Sequence, residues 1–447
     1  MKSPLARIAI AAFAAFSAVF GPTAAEAERL ALVRDAEAEM LISDYVRPIL
    51  AAAGLGKATI QIKIVNDTAF NAFVADSRHI FVNTGTIVDA ETPNQLIGVL
   101  AHETGHLAAA HLVQKRQEIS RMQILTALAV LGSAAAGVAS GNGQIGAAGA
   151  FGSMQLSQRS MLAYAREQES AADIAAVRFL DKTGQSAKGM LQTFQHLAQD
   201  QLFASLGANP YLQTHPMPQE RITQIEELAR KSPYFDKPDS PDLVARHALM
   251  RAKFIAFTEP LAKVVRQYPD SDKSLPAYYA RAIAAFRFSD PKTALDRTDE
   301  LIRQAPSNPF FWEFKGQILY ESGSVKAAIE PLRKAVSLAP RAGLIRVLYG
   351  SALVGSGDSK NLDEAISNLE QGMGDDPDQP VGFRQLAIAY SRKGDLGRAD
   401  LASAQSAFAS GDITLAKQYA LRAEASLKQG TPAWLRADDI VTYKTPK

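Results

Sequence analysis

The sequence contains no cysteine. That excludes a disulfide scaffold, cysteine zinc sites, iron–sulfur clusters, thiol catalysis and lipid attachment through cysteine. Any metal must therefore be held by histidine and carboxylate. Neither sign of charge is in excess: 48 Lys and Arg stand against 46 Asp and Glu. A protein built around nucleic acid would show a basic footprint, so no nucleic-acid partner is expected. What is present suits globular folding. The 447 residues, 47% hydrophobic and 21% charged, suffice for two or three domains rather than one small core.

Lys2 and Arg7 precede an uncharged apolar run from Ile8 to Phe20, followed by Gly21-Pro22 and the small-x-small triplet Ala25-Glu26-Ala27. This pattern predicts a secretory signal peptide over residues 1–27, cleaved after Ala27, because the run is short for a membrane span of ~20 residues. Cleavage leaves 46 basic and 45 acidic residues, still close to neutral. A cysteine-free exported chain needs no oxidative folding, which suits a bacterial periplasm.

Residues 28–235 read as one unit. Glu28–Ala53 reads as a helix ended by Gly54 and Gly56, and Thr59–Ile64 and Ile80–Val82 read as short strands. Thr92-Pro93-Asn94-Gln95 is a strong helix start: Thr92 caps, Pro93 suits the first helical position and Gln95 completes a capping box. That helix is expected to run to about Val113. Residues 122–158 carry no charge and contain seven glycines. Gly141-Asn142-Gly143-Gln144 splits them, so a hinged lid or a membrane-surface hairpin is preferred to a span, with a plain buried helix pair as an equal alternative. Ser160–Thr183 reads as a further helix.

A polar stretch with Pro233, Pro238 and Pro241 marks a boundary, and beyond it the chain repeats. Pro306 and Pro340 are 34 residues apart, as are Tyr278 and Trp312, Ala282 and Gly316, and Ala294 and Ala328. Gly350 keeps the period, three extra residues follow, and Ala365 and Pro377 resume it. Ala387, Tyr390 and Ala399 give one more unit. The pattern resembles tetratricopeptide repeats, in which stacked helix pairs form a superhelix with a concave surface for peptides or partner proteins. The repeats are expected over residues 244–430, with 244–270 and 413–428 capping the ends.

His102-Glu103-Thr104-Gly105-His106 lies inside the capped helix. Four residues turn a helix by about 40°, so both imidazoles share one face and can bind one Zn²⁺. Zinc lowers the pKa of water to ~7, and Glu103 stands beside the pair to take its proton as it attacks a peptide carbonyl. A third ligand is needed. On a continuous helix His111 lies about 180° from His102, so it cannot share the metal and reads as a helix-end surface residue. Glu169 and Asp173 are four apart on a later helix, hence on one face. They read either as a zinc ligand with an acceptor that orients a ligating imidazole, or as two solvated acids; spacing alone does not decide.

His-Glu-x-x-His followed by Glu169-Ser170-Ala171-Ala172-Asp173 resembles the gluzincin family of CAAX prenyl proteases and HtpX-like heat-shock proteases. The resemblance implies a mostly α fold: a metallopeptidase domain with a small β-sheet over residues 28–235, followed here by the α-solenoid of repeats. It implies Glu169 as the third zinc ligand beside His102 and His106, and Asp173 as support for a zinc histidine. Asn71-Ala72-Phe73 before a strand resembles the family's substrate-binding edge, which makes Asn71 and Phe73 candidate substrate contacts, although Ala75-Asp76-Ser77-Arg78 replaces the family's glycine-rich turn. His215-Pro216 with Arg221-Ile222 resembles an element of the secreted branch, in which the histidine lies at the zinc and restrains the enzyme. By chemistry alone His215 is a fourth ligand at rest, a donor to the oxyanion, or a turn histidine before Pro216. Arg221 pairs with a zinc-site carboxylate or with a substrate carbonyl, or forms a surface salt bridge.

The expected function is thus an exported zinc metalloendopeptidase. It would bind substrates in extended form along an edge strand. The resemblance implies unfolded or misassembled outer-membrane proteins as clients and the outer-membrane barrel-assembly machinery as partner. Peripheral membrane contact through the uncharged segment is compatible with this. The alternative is a chaperone or assembly adaptor with a largely silent protease.

Overall fold

The computed structural model describes residues 31–139, 143–203, 210–374 and 379–444. The signal peptide expected over residues 1–27 lies outside them. The fold is mostly helical, with one small mixed sheet near the N-terminal end and helical repeats after it.

The sheet has four strands in the order β1-β2-β4-β3: β1 (Leu32–Val33), β2 (Gln61–Val65), β3 (Ala72–Val74) and β4 (His79–Asn83). β2 and β4 run parallel, with Ile62 opposite Ile80, and β3 lies antiparallel on the outer side of β4 with Phe73 opposite Phe81. Alternation sends Ile64, Ile80 and Val82 inward. The helix expected from Glu28 instead starts at Ala36. Leu32 and Val33 pair with Val65 and Ile64, and the Asp35 carboxylate then caps α1 (Ala36–Ala52) by accepting from the Ala38 amide. A sheet edge and a strong cap together override the local helical pattern.

A short helix α2 (Thr84–Asp89) leads into α3 (Pro93–Ala108). The capping box at its start is formed: Thr92 accepts from the Gln95 amide and the Gln95 side chain accepts from the Thr92 amide. Leu96, Ile97 and Leu100 bury one face of α3 in a core shared with Leu41, Ile42, Tyr45 and Ile49 of α1. The helix stops at Ala108 rather than near Val113. Ala110 has φ of 52°, the left-handed region that favours glycine, and it turns the chain into α4 (His111–Ala139).

α4 and α5 (Gly143–Lys182) pair along their length as a long hairpin. Ile124, Leu128, Leu131 and Phe151 are each more than 60% exposed, which a plain buried helix pair would not leave at these four described positions. Among the described residues no helix is long and apolar enough to cross a membrane. The inner part of α5 lies against α3. A Cβ on Gly105 would stand 2.8 Å from the Ala172 carbonyl oxygen, so the two helix backbones touch there. α6 (Lys188–Phe203), α7 (Pro210–Thr214) and α8 (Gln219–Arg230) close this unit.

α9 (Pro241–Thr258) has two apolar faces. Met250 and Phe254 enter the first core, while Leu249, Ala252 and Ile255 enter the core of the repeats. After α10 (Leu261–Gln267) come five helix pairs: α11 (Leu275–Phe288) with α12 (Pro291–Gln304), α13 (Pro309–Glu321) with α14 (Val325–Leu338), α15 (Gly343–Gly355) with α16 (Leu362–Met373), α17 (Pro380–Arg392) with α18 (Leu396–Ala409), and α19 (Ile413–Ser426) with α20 (Pro432–Thr442). The three extra residues after Gly350 form the single 3₁₀ turn Ser359–Asn361. The period reappears in the contacts: Trp312 Nε1 donates to the Pro306 carbonyl at 2.8 Å, and Arg346 Nε donates to the Pro340 carbonyl at 2.8 Å. Lys315, where the repeat pattern favours leucine, pairs with Asp299 at 2.6 Å.

Candidate metal centre

Two buried turns of α3 present His102 and His106, with their Nε2 atoms 3.1 Å apart. The Gly105 contact brings α5 close enough for Glu169 to reach both: Oε2 is 3.4 Å from His102 Nε2 and Oε1 is 3.4 Å from His106 Nε2. His215, after α7, completes the cluster. Its Nδ1 lies 3.0 Å from both Glu169 oxygens and 3.5 Å from His102 Nε2. One donor atom from each of the four residues falls within 4.8 Å of the others. Ligands held ~2.0–2.1 Å from a tetrahedral zinc stand roughly 3.3 Å apart, so these spacings fit the ion.

The outer nitrogens of the two α3 histidines are engaged as well. Asp173 Oδ1 lies 2.9 Å from His102 Nδ1, an electrostatic contact rather than an aligned hydrogen bond, and favours the tautomer that leaves Nε2 free. His111 Nδ1 lies 2.9 Å from His106 Nδ1. His111 is therefore not a surface residue: it is buried, 7% exposed, against His106. The angle of about 180° assumed one continuous helix, and the turn at Ala110 breaks it. Nothing in Ala108-Ala109-Ala110 signals that turn, since neither glycine nor proline is present.

Arg221 is buried between the carboxylates. Its Nε and Nη2 donate to Asp173 at 2.7 and 2.8 Å, and Nη1 lies 2.9 Å from Glu169 Oε2. These contacts and its burial, 5% exposed, fit pairing with the zinc-site carboxylates and not a surface salt bridge. Nη1 also donates to the Pro216 carbonyl at 2.7 Å, which ties the His215 turn to α8. Tyr211 packs against His215 with ring centroids 4.6 Å apart and the planes tilted by 34°, and Phe194 and His102 meet edge to face.

Burial works against ionisation of Glu169, but the close approach of His102 and the hydrogen-bonded contact with His215 hold its carboxyl far below the usual carboxylate range. Asp173 is likewise buried yet lowered, through His102 and Arg221. Glu103 behaves oppositely: burial raises it, and its Oε1 has no hydrogen-bond partner, His215 Nε2 standing 3.7 Å away. A buried, unpaired carboxylate with a raised pKa facing a metal-type cluster is what a general base needs.

Asn71 and Phe73 stand apart from this cluster. The Asn71 carbonyl accepts from the Asn83 amide at 2.9 Å and from Thr86 Oγ1 at 2.7 Å, and Phe73 stacks on Phe81 with centroids 5.0 Å apart. They fix β3, the outer strand of the sheet, beside α3. The other histidines have structural partners. His79 meets Asp76 at 2.7 Å, His196 faces Asp200 at 3.6 Å, and His247 bonds Tyr45 and the Ala90 carbonyl.

Histidine pairs on one helix, a carboxylate from a crossing helix and a glutamate left free between them define a zinc metalloendopeptidase. The family comparison carries this further: residues 35–229 match the model of peptidase family M48, and the four-residue cluster within them suits zinc as the cofactor of this metalloendopeptidase. The chain is similar to the beta-barrel assembly-enhancing protease of Yersinia pestis, 24% identical over 405 residues that cover 89% of this chain and 82% of the relative. It is also similar to the beta-barrel assembly-enhancing protease of Escherichia coli strain K12, 22% identical over 310 residues that cover 69% and 63%. Among solved structures, the tetratricopeptide protein YrrB aligns with a TM-score of 0.30 at 18% identity, over 51% of this chain and 97% of that one.

Proposed function

We propose that this chain is an exported metalloendopeptidase of the periplasm that hydrolyses unfolded or misassembled outer-membrane proteins. In this reading residues 1–27 are the export signal, 28–235 the peptidase and 244–430 the docking repeats. His102, His106 and Glu169 hold the metal, with Asp173 orienting His102. Bound zinc acidifies water and polarises the scissile carbonyl. Glu103 takes the proton of the attacking water and passes it to the leaving amine. The substrate lies extended along β3, where Asn71 and Phe73 set the strand's position. The names of the relatives support beta-barrel assembly as the process, which we extend to the outer membrane, with its barrel-assembly machinery as partner. The exposed apolar hairpin supports peripheral contact with a membrane surface.

The observation that carries the reading is the orphaned Glu103 oxygen facing the His102–His106–Glu169 cluster. Glu103→Gln should retain zinc by metal analysis yet cleave unfolded casein at least ~10²-fold more slowly. Retained zinc with undiminished cleavage would overturn it.

The position of His215 favours a second element, a resting restraint. It approaches both Glu169 oxygens at 3.0 Å and so completes a four-donor set that leaves no open position. His215→Ala should raise caseinolysis; a fall would instead make it a transition-state donor. A chaperone role with a mostly silent protease is the functional form of that restraint. Rescue of barrel assembly by Glu103→Gln as well as by wild type would make the binding role dominant.

A further inference from the structure

A cavity of ≈ 570 Å³, lined by none of the zinc-cluster residues, opens between the peptidase unit and the repeats. Its walls come from the β1–α1 junction, from α9, and from the first helices of successive repeat units, α13, α15 and α17, the face on which such superhelices receive extended chains. Phe257, Phe310 and Phe314 supply much of its apolar lining, and Arg34, Asp35, Lys253, Glu313 and Glu321 its charged groups, Glu321 accepting from Gln317 Nε2 at 2.8 Å.

The charges do not balance. Lys253 Nζ lies 2.6 Å from Asp35 and 3.4 Å from Glu37, so its one charge is shared between two carboxylates. Arg34, at the rim, is held by Glu39 at 2.7 Å. Glu313 Oε2 is buried with no hydrogen-bond partner. Burial pushes the Glu313 carboxyl up to about 8 and that of neighbouring Glu37 to about 7, against the pull of Lys253. Burial therefore keeps the Glu313 carboxyl protonated at neutral pH, and a cation delivered to it favours ionisation, the proton leaving to solvent as the ion pair forms. These carboxylates do not converge as a metal site does: among the described residues the zinc cluster alone has that geometry. Aromatic faces around a lone carboxylate suit an organic cation on an apolar stem, through cation–π contact and packing of the methylene chain.

We propose that this cavity docks a lysine or arginine side chain of an extended client segment, with Glu313 as its counter-charge and Phe257, Phe310 and Phe314 around its stem. The proposal rests on the reading of the repeats as a client-docking surface and adds what they select: apolar segments punctuated by a basic residue.

The test is calorimetric binding to the full-length Glu103→Gln chain, which isolates binding from cleavage. The probes are acetyl-Ala-Phe-Lys-Phe-Ala-amide, its arginine analogue and its norleucine analogue. The lysine and arginine peptides should bind at least tenfold more tightly than the norleucine peptide, and Glu313→Gln should erase that preference. Should Glu313→Gln fail to fold, Gln317→Lys, which places a cation in the cavity wall, should abolish binding of the lysine peptide. Equal binding of lysine and norleucine peptides, or a preference that survives either substitution, would overturn the proposal. Binding that appears only after residues 28–30 are deleted would assign the cavity to the chain's own Arg29 and overturn the client assignment. Failure of the protease reading would show separately, as cleavage by Glu103→Gln.

Discussion

The peptidase unit and the repeats are both stacks of helices, yet they are held together by opposite means. Where α3, α5 and α8 meet, His102, Glu103, Glu169, Asp173, His215 and Arg221 are all buried, and the contacts among them are ionic. In the repeats the ion pairs, such as Arg333 with Glu330 and Lys393 with Asp363, lie at the surface, and the interior is small residue against large: Gly316 on Leu332, Gly350 on Leu369. Burying charge is expensive, so the first arrangement makes sense only where a cation arrives to share the cost. The second needs no ligand and leaves a surface free for docking. The α9 junction lies between the two, with buried charge around Lys253 and an unsatisfied carboxylate beside it.

The sharpest way to break this contrast is to delete one arginine from each region. Arg221→Ala leaves Asp173 and Glu169 buried without their guanidinium, and should cost about 3–5 kcal/mol in urea unfolding of the zinc-loaded protein. Arg333, whose side chain is 45% exposed, should cost about 1 kcal/mol or less when changed to alanine. Equal losses would mean that the buried network is not what holds the peptidase together.

The next effect concerns the junction. His247 is 1% exposed, with Nε2 2.8 Å from the Ala90 carbonyl and Nδ1 3.1 Å from the Tyr45 hydroxyl. Burial lowers it from 6.5 to about 4. The unfolded chain therefore takes up a proton at a higher pH than the folded one. The contribution is fully present above pH ~6.5 and is lost as pH falls toward 4, by about 3 kcal/mol in all. Urea unfolding at pH 7 and at pH 4.5 should show a steeper loss for wild type than for His247→Gln, the difference isolating this residue from the zinc histidines. Parallel losses would remove His247 from the account.

How much of this was legible in the sequence differs between the same two regions. The repeats were written in a fixed period, so their helices and the presence of three extra residues after Gly350 followed from spacing, whereas the 3₁₀ turn at Ser359–Asn361 did not. In the peptidase, the capped helix and the His102–His106 pair were legible because both depend on neighbours in sequence. His111 was not, because its position depends on one left-handed residue, Ala110, that carries no local signal. Spacing also left the role of Arg221 undecided, since its partner Asp173 lies 48 residues away. The N-terminal strand was missed for a related reason: the residues opposite Leu32 and Val33 lie on β2.

The smallest effect is the most specific to the comparison, because it makes the same substitution in both regions. An alanine methyl on Gly105 meets the Ala172 backbone, with the carbonyl oxygen at 2.8 Å and Cα at 3.0 Å. Backbone cannot rotate away, so α5 must shift as a body and carry Glu169 with it. An alanine methyl on Gly316 meets only the Leu332 side chain, which can change rotamer. Both substitutions gain about 1 kcal/mol of helix propensity. At Gly316 that gain roughly offsets the repacking, so Gly316→Ala should leave stability within about 1 kcal/mol of wild type and zinc affinity unchanged. At Gly105 overpacking should cost about 1–3 kcal/mol. Competition with a chelator should also show zinc bound at least ~10-fold more weakly, since second-helix geometry sets the third ligand. If Gly105→Ala kept full zinc affinity, the close approach of α3 and α5 would be a packing convenience rather than the device that delivers Glu169 to the histidines.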